Sequence, residues 1–144
     1  MEYELGKHYE EIEMGQKASF SKTVSETDIY LFAGISGDFN AAHLNEAYAK
    51  TTRFKTRIAH GFVPMCLCAP VIGMKLPGLG TVVVDFYTQF IRPTYIGDTI
   101  TATAEVVEKI ESKRRVKLSL TWVNQDGEPV CEGWVRVIPP KVKK

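Results

Sequence analysis

An aspartate and a histidine stand five positions apart in the short polar stretch from Gly37 to His43, which reads "GDFNAAH". A carboxyl group and an imidazole are common partners in proton transfer near neutral pH. Small neighbours would let a ligand approach the Asp38 carboxylate, and Asn40 can hold the turn through local hydrogen bonds. Spacing alone leaves two interpretations open, a turn with a capping aspartate or an acid/base pair directed at one bound molecule.

A glycine further along the chain offers a complementary group. Gly61, in "RIAHGF", stands at the predicted start of the longest helical pattern in the chain. Backbone N–H groups at the first turn of a helix have no partner within that helix, so they can polarise a carbonyl group. An acid, a base and an oxyanion site together would suit proton chemistry next to a carbonyl.

Other kinds of active site have little support in this sequence. No G-x-S-x-G motif is present, and "GLGTVV" follows a helix and precedes a strand, which is the reverse of a phosphate-binding loop. No metal site is expected, because the three histidines do not have the spacing of ligands. These histidines are His8, His43 and His60.

The composition narrows the class of protein. The 144 residues carry a formal net charge of +1, which gives no field favouring nucleic acid or an acidic membrane. The basic cluster from Lys109 to Lys117 is interpreted as a solvated turn, with contact to a nucleotide phosphate as the alternative.

A polar, acidic start and no long apolar run favour the cytoplasm as the location of the protein. Cys66, Cys68 and Cys131 are expected to be buried, reduced thiols.

The helical signals come first along the chain. Lys17 to Val24 alternates like a strand, and Ser25 and Asp28 form a capping box for a helix that ends between Gly34 and Gly37. Asn45 can cap another short helix. A long helix then starts at His60 and Gly61, and Pro70 should kink it. Its apolar face is formed by Phe62, Met65, Cys66, Ala69, Ile72, Gly73 and Leu76.

Four strand-like segments follow Gly80, and their turns predict an antiparallel meander with hairpins at "RPTYIGD" and "NQDGEP". Two of them, "RRVKLSLTWVN" and "PVCEGWVRVI", alternate plainly. In the first, one face holds Val116, Leu118, Leu120 and Trp122; in the second, Val130, Glu132, Trp134 and Arg136 oppose Cys131, Val135 and Val137. The expected fold is therefore α+β, with one curved antiparallel sheet wrapped around the long central helix. We treat the chain, 1–144, as one domain with its core at about 15–138. The exposed edges of such a sheet make a homodimer plausible.

The stretch "SGDFNAAH" followed by "AYA" resembles the hydratase signature of the MaoC-like family of (R)-specific enoyl-CoA hydratases. "RIAHGF" and "LPGLGTVVVDFYTQFIRPTYIGDTITATAEV" resemble the segments that follow it in that family, so the resemblance covers Gly15 to Ile138. It implies the hot-dog fold, in which a sheet wraps around a long helix and two chains pair as a dimer. It also implies addition of water to a trans-2-enoyl-CoA, giving the (R)-3-hydroxyacyl-CoA.

The resemblance implies a role for each candidate residue. Asp38 and His43 would hold the reacting water, and the Gly61 N–H would bind the thioester oxygen. Asn40 belongs to the same motif, and Ala69 and Ile72 are expected to line the acyl pocket. No metal or redox cofactor is implied, because CoA arrives as part of the substrate.

Two departures from the family pattern affect these expectations. Ala41 stands where the family usually has proline, which should loosen the loop slightly. Pro70 lies on the helix that forms one wall of the acyl pocket, so the sequence leaves the acyl chain length open. Other acyl-thioester reactions on this fold remain as alternatives, namely a dehydratase acting on a branched, dicarboxylic or carrier-protein-bound acyl group, or a thioesterase. A non-catalytic acyl-CoA-binding module is the third alternative.

Overall fold

The computed structural model describes residues 3–141, in which five antiparallel strands form one curved sheet with short helices packed against it. The strands are β1 (Lys17–Thr23), β2 (Val82–Phe90), β3 (Thr99–Ile110), β4 (Arg115–Val123) and β5 (Pro129–Ile138). The helices are α1 (Glu26–Ser36), α2 (Ala41–Leu44), α3 (Glu46–Ala49), α4 (Phe62–Met65) and α5 (Cys68–Pro70), with a π-helical turn at Val71–Lys75 and 3-10 turns at Tyr9–Glu11 and Glu111–Lys113. In the described part of the chain, no helix is long and apolar enough to span a membrane.

The sheet has the strand order β1-β3-β4-β5-β2, which differs from the predicted meander. Strands β3, β4 and β5 are consecutive neighbours, as expected. Strand β2, however, pairs with β5 at the far edge, with Phe90 opposite Cys131. The predicted hairpin at "RPTYIGD" is therefore wrong, because this segment connects β2 to a strand on the other side of the sheet. Local turn residues could not reveal the crossover, since strand pairing is decided by tertiary contacts.

The crossover segment supports the start of α4. The Ala59 N–H donates to the Thr94 carbonyl at 2.8 Å, and Ile58 forms an isolated antiparallel bridge with Tyr95. Ala59 and Thr94 are both almost fully buried. These bonds fix the backbone immediately before His60 against the body of the domain.

The predicted long helix is interrupted, and Pro70 accounts for one change in its geometry. Pro70 has no N–H to donate to the Cys66 carbonyl four residues earlier. That carbonyl instead accepts the Ala69 N–H at 2.9 Å. After Pro70 the backbone widens into the π-helical turn, and the Leu76 N–H donates to the Val71 carbonyl at 2.8 Å. The expected distortion at Pro70 is thus a change of helix type.

One apolar core lies between the sheet and the interrupted helix. The predicted alternation in β4 is confirmed, since its inward residues are fully buried, and most of β5 follows its predicted alternation. Val130 departs from it, because the pairing of β4 with β5 shifts register beside this residue. The core also extends to Tyr9 and Ile12, before the expected start near residue 15. The inward residues of β4 are Val116, Leu118, Leu120 and Trp122.

Candidate active site

Helix α1 ends at Gly37, where the Gly37–His43 stretch begins at the surface. Its start is the predicted capping box, in which the Asp28 N–H donates to Ser25 Oγ at 3.2 Å and the Ser25 N–H donates to Asp28 Oδ2 at 2.8 Å. Its end is Gly37, whose φ of 76° lies in the left-handed region that favours glycine. The chain therefore turns sharply just before Asp38.

A series of side-chain-to-backbone hydrogen bonds shapes the loop. The Ser36 hydroxyl accepts the Asp38 N–H at 3.1 Å, and Asp38 Oδ1 accepts the Asn40 N–H at 3.1 Å. Asn40 Oδ1 then accepts the Ala42 N–H at 3.0 Å and caps α2, the short helix that carries His43. Asn40 thus has the local role predicted from its residue type, and its contribution to substrate binding stays a prediction.

The hydrogen bond of His43 identifies which of its ring nitrogens is free. His43 Nδ1 lies 2.9 Å from the Ile58 carbonyl oxygen. A carbonyl oxygen only accepts, so Nδ1 carries the proton in the neutral ring. Nε2 is then the unprotonated nitrogen, which is the form that a general base requires.

His60 lies against both predicted residues, although the sequence assigned it no function. Its side chain is 2% exposed, its ring centroid lies 3.9 Å from that of His43, and its Nε2 lies 2.9 Å from the Asp38 carbonyl oxygen. Phe32 covers the same imidazole, with the ring centroids 4.9 Å apart. The only signal in the sequence was its place beside Gly61, which predicts a helix start and not a contact with Asp38.

Three potential metal ligands therefore meet at this site. One atom each from Asp38, His43 and His60 lies within 4.8 Å of the other two. His43 Nδ1 and His60 Nε2 each lie 2.9 Å from a carbonyl oxygen, so both nitrogens carry protons and neither is a metal ligand in this arrangement. His60 Nδ1 is buried and unpaired within the described residues. The Asp38 carboxylate and His43 Nε2 remain as two groups that can hold one water molecule between them.

Gly61 is the N-cap residue of α4, as predicted, and its N–H finds no acceptor among residues 3–141. A Cβ atom at this position would lie 2.8 Å from Cε1 of Phe90, so a larger residue would displace that ring. Gly61 and His43 line one cleft of about 250 Å³. Asp38 is not among the lining residues, but its carboxylate lies within 4.8 Å of a ring nitrogen of His43.

The remainder of the cleft is mostly apolar, with a few polar groups. Pro64 and Phe90 form part of its wall, and Arg53 lies at its exposed side. Thr94 also lines the cleft and is 3% exposed, and its hydroxyl has no hydrogen-bond partner within the described residues. An apolar cleft with a few polar groups is a typical site for a small organic ligand.

The two predicted acyl-pocket residues lie outside this cleft. Ala69 is exposed, and Ile72 is 5% exposed within the apolar core. A second groove, of about 180 Å³, is lined instead by Phe32, Val63 and Leu67, among others. The assignment of Ala69 and Ile72 to the acyl pocket stays a prediction.

The thiols differ from the expectation in one respect. Cys68 and Cys131 are buried, and burial raises the pKa of Cys68 to about 12 and that of Cys131 to about 11. Cys66 is exposed, so its predicted burial is wrong. Cys66 lies on the outward side of this segment together with Phe62, whereas Val63 and Leu67 face the core.

The basic cluster has internal partners. Arg114 pairs with Glu10, and Lys109 Nζ donates to the Ile12 carbonyl at 2.7 Å. Both cations also lie over the ring of Tyr9. These contacts favour the structural interpretation of the cluster over a phosphate site.

The fold and the site together define a class of protein, a hot-dog domain with an acid/imidazole pair beside an apolar cleft. The profile of the family described as "MaoC like domain" matches residues 8–126, and the chain belongs to this family.

Three of the similar proteins come from bacteria. An "(R)-specific enoyl-CoA hydratase" from Rhodospirillum rubrum is 47% identical, covering 92% of each chain. A "3-hydroxybutyryl-CoA dehydratase" from Methylorubrum extorquens is 39% identical, covering 93% of this chain and 85% of the relative. The solved structure of an unliganded R-hydratase from Pseudomonas aeruginosa superposes with a TM-score of 0.89 at 40% identity, covering 94% of this chain and 87% of that chain. These matches confirm the expected family and fold.

Proposed function

We propose that this protein catalyses the reversible addition of water to a trans-2-enoyl-CoA, which gives the (R)-3-hydroxyacyl-CoA. Relatives at 47% and 39% identity are named for the hydration and for the reverse dehydration. The observation that carries the proposal is the meeting of the Asp38 carboxylate with the His43 ring, with Gly61 in the same cleft as His43. It supplies the acid, the base and the oxyanion donor that the reaction needs.

The attack on the double bond is assigned to His43 and one water molecule. His43 Nε2 removes a proton from the water while the water oxygen forms a bond to C3 of the enoyl group. The π electrons of the C2–C3 bond move toward C1, and negative charge develops on the thioester oxygen. The N–H of Gly61 stabilises this charge, because it makes no hydrogen bond within the described chain.

Asp38 completes the addition by delivering a proton to C2. This proton is the one taken from water: the His43 imidazolium passes it to the Asp38 carboxylate, and Asp38 then delivers it to C2. Both groups return to their starting forms, and the water has supplied both the hydroxyl group and the proton. A ring nitrogen of His43 and a carboxylate oxygen of Asp38 lie within 4.8 Å of each other, which suits this transfer. Addition from one side places both new bonds on the same face of the substrate.

We also propose that the protein is a homodimer that pairs through β2. This strand forms one edge of the sheet, and it exposes several large apolar side chains. An uncovered apolar edge strand is prone to pairing with another chain, and two-fold pairing is the commonest way to close it. The exposed residues include Val82, Val83, Tyr87 and Phe90.

Three further expectations stay predictions. CoA enters as part of the substrate, and no separate cofactor is proposed. A cytoplasmic location is supported by the three free thiols, because disulfides are rare in that compartment. Ala69 and Ile72 stay predicted residues of the acyl pocket.

The proposal is tested with crotonyl-CoA, whose conjugated absorbance falls on hydration. Asp38→Asn and His43→Ala should each lower kcat by about 10²- to 10⁴-fold, as expected on loss of a general acid or base. His8→Ala is the control, because this histidine contacts the Pro140 carbonyl and does not line the cleft. Near-normal turnover by both site variants, with the fold intact by circular dichroism, would disprove the assignment.

A further inference from the structure

His60 contacts both residues of the proposed acid/base pair, and the role assigned to it here rests on the proposed function. We propose that His60 is a positioning residue that holds the Asp38 carboxyl and the His43 ring in their reactive arrangement. Its side chain is 2% exposed, and its Nε2 lies 2.9 Å from the Asp38 carbonyl oxygen. The Asp38 carboxylate is farther away, with Oδ2 at 4.0 Å from the same nitrogen. The contact is thus to the backbone of the motif and not to its reactive group.

The tautomer of His60 follows from that contact. The carbonyl oxygen only accepts a hydrogen bond, so Nε2 carries the proton in the neutral ring. Nδ1 is buried and has no hydrogen-bond partner in the part of the chain that the structure describes. Neither nitrogen is therefore available to the substrate, which separates His60 from the two catalytic residues.

The contacts around His60 join the two ends of the motif. Its Nε2–H holds the backbone at Asp38, and its ring packs against the His43 ring at 3.9 Å between centroids. The backbone before His60 is fixed in turn through the Ala59–Thr94 hydrogen bond. Asp38 is on an exposed loop. The hydrogen bond from the buried His60 side chain therefore fixes this loop to the body of the domain.

A buried imidazole with one unpaired nitrogen is an unfavourable choice for a core position. An apolar side chain would fill the same space against Phe32 without that cost. The donated hydrogen bond to Asp38 is what an apolar residue could not supply. Such a loss of stability is typical of residues that hold the geometry of a functional site.

The experiment compares His60→Gln with His60→Asn. Glutamine can place its amide N–H near the position of Nε2 and donate to the Asp38 carbonyl, whereas the shorter asparagine reaches only the position of Nδ1. Both replacements are neutral and polar, so folding costs are similar. We expect His60→Asn to lower kcat about 100-fold, the scale of a 1 Å misplacement, with little change in KM. His60→Gln should recover kcat to within about tenfold of the wild type.

A double-mutant cycle separates positioning from a general loss of structure. If His60 acts through Asp38, then His60→Asn should lower kcat far less in the Asp38→Asn background than in the wild type. Equal losses in both backgrounds, equal activity of the Gln and Asn variants, or a loss seen only in KM would overturn the inference. Wild-type turnover of crotonyl-CoA is measured in the same series, because its absence would contradict the proposed function and not the role of His60.

Discussion

Gly61 has two separable properties at the scale of the single residue. Its N–H makes no hydrogen bond within the described residues, and its missing side chain leaves room for the Phe90 ring. The φ of −56° is compatible with any residue, including proline, so glycine is not required by the backbone. The proposed oxyanion role belongs to the N–H, and the fit to Phe90 belongs to the absent Cβ.

Gly61→Ala and Gly61→Pro distinguish these properties. Both substitutions add a Cβ that meets Phe90, but only proline removes the N–H donor. We expect Gly61→Pro to have a kcat about 10²- to 10³-fold below that of Gly61→Ala, the usual effect of losing one oxyanion donor. Steady-state hydration kinetics on the two purified variants provide the measurement. Equal kcat values in two folded variants would refute the oxyanion role.

At the scale of the element, the capping box of α1 fixes the start of the helix that ends at the Gly37–His43 loop. Burial alone would raise the pKa of Asp28, but hydrogen bonds from Lys22 and Ser25 lower it below its ordinary value. The Asp28 side chain is 22% exposed, so this network is partly protected from solvent. The ionised form of Asp28 therefore stabilises the helix start and, through it, the path to Gly37.

Asp28→Asn should lower the free energy of unfolding by about 1 kcal/mol at pH 7, a typical effect of weakening an N-cap. Because folding lowers the pKa of Asp28, its contribution is fully present above the unfolded pKa of about 3.9 and is lost as the pH falls through the folded value. The difference between wild type and variant in urea unfolding should therefore shrink in acid. Glu13→Gln, at an exposed position, is the control. A difference that stays constant down to the acid limit would contradict this explanation.

The elements also show what the sequence can reveal. The capping box of α1, the end of α1 at Gly37 and the bounds of β5 were predictable, because each depends on residues close in sequence. The placement of β2 beside β5 and the contact of His60 with Asp38 were not, because both join residues far apart along the chain. The motif therefore predicted Asp38 and His43 as a pair, whereas the contacts that support them needed the three-dimensional structure.

At the scale of the whole molecule, the edge formed by β2 links assembly to the site. Phe90, the last residue of this strand, lines the cleft next to Gly61 and is 51% exposed. A second chain paired along β2 would therefore lie close to the cleft. The proposed dimer should thus support the geometry of the site as well as cover apolar surface.

Val83→Lys tests the proposed interface, because it places like charges on both copies of the edge strand. We expect the variant to sediment as a monomer at concentrations at which the wild type is a dimer, and to lose activity in parallel. Val107→Lys is the matched control, since Val107 is 41% exposed on the interior strand β3, compared with 51% for Val83. An unchanged dimer in Val83→Lys, or a monomeric wild type, would refute pairing through β2.

The most direct test of the central claim is chiral analysis of the product formed from crotonyl-CoA and water. We expect loss of the enoyl absorbance with formation of (R)-3-hydroxybutyryl-CoA by the wild type, and loss of that product in Asp38→Asn and His43→Ala. Formation of the (S) product, a racemic mixture, or free CoA thiol in place of the hydroxyacyl thioester would contradict it.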